Sequence, residues 1–146
     1  LFGASPVVWQ HPEGMPDVRF VAGEQNEQGK HWITVVREEG GYRPFEMSEA
    51  PWNSGGAVSV RPLFGRAVDL ELALGIADDA APKTNLTRKD AGWRTRPLRP
   101  TEKQIDFARR LGVKADMGMT RAEVSEAIEE RMFVRAARRA HLIGGR

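Results

Sequence analysis

The chain has 146 residues, 40% of them hydrophobic, with no cysteine and a formal net charge of +2. That length and composition permit a core without metal or disulfides, and the missing cysteines exclude disulfide frameworks, thiol nucleophiles and cysteine zinc sites. No apolar run approaches roughly 18 residues and no basic segment with an apolar stretch opens the sequence, so the expectation is a cytoplasmic protein with no membrane partner.

Residues 1–30 are rich in Pro and Gly, with short apolar runs from Val7 to Trp9 and from Val18 to Val21 that suit edge strands. A polar turn beginning at Glu24 leads into Trp32 to Val36, a β-branched run bounded by glycines and the clearest strand in the sequence. Glu38 to Gly41 should turn it back into Tyr42 to Phe45, giving a hairpin near 31–47, with Pro44 placing the returning strand at an edge or a bulge. Residues 47–60 read as loop, with Asn53, Ser54, Gly55 and Gly56 at the tip. From Leu63 to Ile76 the spacing turns helical, because Phe64, Ala67, Val68 and Leu74 repeat at three and four residues. This predicts a helix near 63–76.

The charge balance reverses just beyond it. Residues 1–82 hold 6 Lys and Arg against 12 Asp and Glu, a balance of −6, whereas residues 83–146 hold 16 against 8, a balance of +8. A boundary is therefore expected near residue 82. The fold class that follows is α+β. A small antiparallel β-sheet with one helix occupies 1–82, a basic linker 83–100, and a helix-loop-helix unit with a basic C-terminal helix 101–146.

The two C-terminal helices carry the strongest local signals. Thr101 with Gln104 and Thr120 with Glu123 both fit the capping box, and Pro100 sharpens the first start. Ile105, Ala108 and Leu111, with Phe107 reaching Leu111, stripe the first helix, and Gly112 stops it. Val124, Ala127, Ile128 and Met132 stripe the second, which can run on with Phe133, Ala136, Ala137 and Ala140 on one face until Gly144 and Gly145 end it. Two helices alone bury too little apolar surface to stand free, so a third element must cover them.

Catalytic constellations are missing. His11, His31 and His141 lie far apart in segments of different type, which suits solvated or capping roles better than a metal site. No serine sits in a nucleophile elbow. The glycine pairs 55–56 and 144–145 are not followed by Lys and Ser or Thr, so no phosphate loop is present. The expectation is a non-enzymatic binding module without cofactors.

Positive charge flanks the helix pair: 83–104 carries 7 cations against 2 carboxylates and 131–146 carries 5 against 0, while 105–130 carries 4 against 6. Clustered Lys and Arg release counterions from phosphate backbones, which points to a polyanion, while the competing reading is a solvated basic surface. The candidate nucleic-acid contacts are Arg88, Lys89, Trp93, Arg94, Arg96, Arg99, Lys103, Arg135, Arg138 and Arg139. Trp93 can stack on an unpaired base between phosphate-binding arginines, or else it anchors the linker to the helix pair. In an antiparallel hairpin the start of the first helix and the end of the second share an end, so Arg94, Arg96 and Arg99 should merge with Arg135, Arg138 and Arg139 into one patch.

Three stretches, Asp90 to Pro97, Pro100 to Val113 and Met119 to Ile128, resemble the C-terminal tail of bacterial and phage DEAD/DEAH-box superfamily II helicases. Such tails pair a helix of the Trp-Arg, Pro, Thr, Lys-Gln pattern with a Thr, Glu, Ser helix, and the pair is also similar to SAP-like DNA-binding helices. Val124 stands where those tails commonly have alanine, and no motor motif is present. The resemblance implies an accessory domain of a helicase-like DNA-processing protein, with ATP hydrolysis in another part. Its partners would be nucleic acid, most naturally DNA, or alternatively a protein or the motor domains on which the helix pair docks. Beginning at Leu1 rather than methionine, the chain reads as a piece of something longer.

Overall fold

A computed structural model describes residues 5–23, 25–84 and 87–144; Leu1, Glu24, residues 85 and 86 of the expected linker and Gly145 of the expected helix stop lie outside these. Among the described residues, β1 (Val18–Ala22), β2 (Lys30–Glu38), β3 (Gly41–Glu49) and β4 (Val58–Pro62) form one antiparallel sheet in the order β1-β2-β3-β4. The helices are α1 (Leu70–Ala80), the short α2 (Gly92–Thr95), α3 (Glu102–Arg110) and α4 (Arg121–Arg139). The α+β class is as expected.

The sheet is apolar on both faces, because its alternating residues serve two helices. Val18, Phe20, Trp32, Val36, Phe45 and Met47 face α4 and pack on Phe133, Ala136 and Ala137. Val21, Ile33 and Val35 point the other way and pack on Ala73, Leu74 and Ala77 of α1 and on Val68 just before it. A third core cluster lies outside α4, where Ile105 and Ala108 of α3 meet Val124 and Ile128. Order across the molecule is thus α1, sheet, α4, α3.

Several expectations change here. The sign change near residue 82 does not coincide with a gap in packing, since the apolar face of α4 is covered by the sheet of the acidic half. The expected linker is also fastened down: Thr87 is buried, Val8 N donates to Thr87 O at 2.9 Å, and Lys89 N donates to Pro6 O at 2.8 Å. Pro44 sits in an inner strand and not at an edge. Its carbonyl accepts from Leu63 N at 2.9 Å, so its nitrogen faces the β4 side just past the last β4 pair, Phe45 with Pro62, where no ladder donor is needed. The stretch 47–60 is not all loop, because β3 continues to Glu49 and Val58 opens β4. α1 starts at 70 rather than 63, as Asp69 caps it by accepting from Leu72 N at 2.9 Å and Val68 is held by two backbone bonds to Tyr42. α4 stops before Gly144: His141 adopts φ 57°, with Leu142 N donating to Ala137 O, a left-handed helix end made by histidine.

Both capping boxes form. Thr101 Oγ1 accepts from Gln104 N and Thr120 Oγ1 accepts from Glu123 N, each at 3.1 Å, with the return bonds at 3.3 and 2.8 Å. Thr120→Ala is expected to cost about 1 kcal/mol, the usual loss for a removed cap, with thermal unfolding as the measurement. A cost indistinguishable from zero would mean that packing on the sheet alone holds the start of α4.

Candidate nucleic-acid interface

The sense of the helix pair decides where its charges go. Arg121 N, at the start of α4, donates to Leu98 O at 2.7 Å, and Gln104 Nε2 donates to Arg121 O at 3.1 Å. At the other end, Arg131 Nη2 donates to Gly112 O at 3.3 Å, just after α3. The helices therefore run in the same sense, with residues 111–120 returning between them. The expected merged patch does not form. Arg96 and Arg99 lie by the start of α4, and Arg135 and Arg138 lie roughly 20 Å away along it at 1.5 Å per residue.

The first cluster is engaged in part. Arg88 pairs with Asp90 at 3.0 Å, which raises the arginine's pKa and holds the carboxyl below its usual range. Arg94 is covered, its side chain 14% exposed, and lies over the Trp93 ring at 4.4 Å and 3.7 Å from Glu126 of α4. Burial lowers its pKa and the nearby Glu126 charge raises it in part. Trp93 and Arg94 border Ser125, Glu126 and Glu129 around a void of about 10 Å³, too little for a base. Trp93 itself is half-buried. Lys89, Arg96, Arg99 and Lys103 are exposed.

The second cluster is open. Phe133, Ala136 and Ala137 turn α4 toward the sheet, so Arg131, Arg135, Arg138 and Arg139 project from its outer side and flank beyond the end of α3. Among the described residues, the only ion pair made by any of the four is Arg139 Nη1 with Glu49 Oε2 at 2.9 Å. The other terminal nitrogen of Arg139 donates to Gly56 O at 2.7 Å in the β3–β4 turn. That turn presents Trp52, 92% exposed, a residue the sequence reading passed over. Its signal was an aromatic between Pro51 and the turn sequence Asn53, Ser54, Gly55, Gly56.

Carboxylates gather on the opposite layer. A cleft of about 750 Å³ along α1 is lined by Asp69, Glu71, Asp78 and Asp79 together with Ser5, Leu72, Gly75 and Ile76. Asp78 accepts from the Ser5 hydroxyl and from Trp9 Nε1 at 3.3 Å. Four carboxylates of the acidic half thus lie along α1, on the far side of the sheet from the arginines at the C-terminal end of α4. Among the described residues no group of His, Asp and Glu is arranged to hold a metal, and no helix is long and apolar enough to cross a membrane. No family model, curated protein or solved structure matches the chain.

Proposed function

We propose that this chain is a nucleic-acid-binding accessory module of a helicase-like DNA-processing protein, with the arginines of α4 as its phosphate-contacting face. The observation that carries this reading is that Arg131, Arg135 and Arg138 lie within two helical turns of one another with no carboxylate paired to any of them among the described residues. Like charges at such spacing repel, and a phosphate backbone relieves that repulsion while releasing its own counterions. The acidic α1 layer repels the same backbone and so orients the module. The chain binds in this reading and leaves catalysis to other parts of the protein.

Arg135→Ala with Arg138→Ala tests it, leaving Arg139 to hold the β3–β4 turn. Affinity should fall for all DNA sequences alike. The slope of log affinity against log salt should become shallower by roughly 1.8 on duplex and roughly 1.4 on single strands, at about 0.9 and 0.7 per lost phosphate contact. Unchanged affinity and slope would remove the arginine face from the interface.

One observation favours the docking alternative. Phe107 is 43% exposed on the outer side of α3, between Lys103 and Arg110 at helical spacing, instead of reaching into the helix pair. A protein partner seated there would bind with little dependence on salt.

A further inference from the structure

We infer that Trp52 is a stacking platform for an unpaired base, which makes single-stranded nucleic acid the preferred ligand of the arginine face; this rests on the nucleic-acid reading above. An isolated exposed apolar residue ordinarily needs no explanation, but three features set this one apart. The first is presentation. Trp52 opens a single 3-10 turn closed by Ser54 N and Gly56 N donating to Pro51 O and Gly55 N donating to Trp52 O, at 2.8 to 3.1 Å, so the indole is held out by a bonded frame. Gly55 and Gly56 make that frame possible at φ 98° and 61°, where side chains bearing Cβ are strained.

The second feature is attachment. Arg139 clamps Glu49 and Gly56, on either side of the turn, so the turn that carries the indole is fastened to α4. The third is charge. Arg135 precedes Arg139 by one turn and shares its flank, placing a cation with no paired carboxylate on the strip of α4 that leads to the turn. An aromatic face beside cations that follow a backbone is the combination that binds single strands without sequence preference, because every base has a π face. A duplex offers its phosphates to the same arginines but keeps its bases stacked on each other.

Fluorescence anisotropy of the full chain on a short oligothymidylate and on a blunt duplex of equal length separates these ligands. Trp52→Ala should weaken single-strand binding about five- to 150-fold and duplex binding less than about twofold, with Trp52→Phe retaining most of the affinity. The unfolding midpoint should not move, since the side chain is 92% exposed. Equal loss on both DNAs, or no loss on either, overturns the stacking role. If Arg135→Ala with Arg138→Ala still weakens both DNAs while Trp52→Ala weakens neither, the arginine reading survives and the Trp52 contact does not. If the unaltered chain binds neither DNA, both fall.

Discussion

Phe133→Ala is expected to destabilise the protein by about 3–5 kcal/mol, the range for deleting a fully buried aromatic ring. Phe133 is 0% exposed. Its ring stacks on Phe20 of β1 with centroids 4.2 Å apart and planes 4° from parallel, and it meets Trp32 of β2 edge-on at 6.4 Å. Those partners sit on adjacent strands of a hydrogen-bonded ladder that can close over the vacated volume only in part, so most of the cavity term is retained. Aromatic pairing adds to the area term. Chemical denaturation read by both tryptophan fluorescence and circular dichroism would measure the loss, and the two signals should move together because strands and helix share one core. A cost below about 1 kcal/mol, or a sheet that melts separately from α4, would mean that α4 does not rest on the sheet.

That core explains what the sequence could and could not disclose. Local signals were legible: two Thr caps with their Gln104 and Glu123 returns, the β-branched run of β2, and the Phe133, Ala136, Ala137 stripe. What the stripe packs on was not, since periodicity defines a face and says nothing about its partner. The sense of α3 against α4 was hidden for a related reason. A short loop forces neighbouring helices antiparallel, but residues 111–120 are long enough to return, and buried Ala115 lines the way. Phe64, Ala67 and Val68 repeated at helical spacing while Val68 was already committed to pairing with Tyr42. At the candidate site, Arg135, Arg138 and Arg139 were readable from the basic tail, whereas Trp93 drew attention through its arginine neighbours, though Arg94 is packed inward against α4. Trp52 had no periodic context at all. Cutting the chain at residue 82 would strip the sheet from α4, so the charge boundary is a poor place to divide it.

Lys30 and Glu129 set the second large expected effect. Lys30 Nζ lies 2.9 Å from Glu129 Oε1, with the side chains 5% and 14% exposed, and this pair joins the middle of α4 to the start of β2. The second oxygen, Glu129 Oε2, is buried with no hydrogen-bond partner among the described residues. Bringing both charges out of water is costly, and their attraction offsets that cost only while both are present. Lys30→Met should therefore destabilise by about 3–5 kcal/mol, because it leaves a carboxylate buried without its cation. Adding Glu129→Leu should return most of that loss, since an apolar pair of similar volume removes the desolvation penalty together with the attraction. A double-mutant cycle in denaturant measures this directly: the double variant should be more stable than Lys30→Met alone. Additive losses would show instead that each side chain acts through its own packing. Under the proposed nucleic-acid reading the cycle bears on the binding face as well, because Lys30 and Arg139 are cations on opposite sides of the α4 contact with the sheet, one fixing its middle and the other its end. If the apolar pair restores stability yet DNA affinity stays low, the ion pair sets the angle at which α4 presents Arg135 and Arg138; if affinity returns with stability, the core alone sets it.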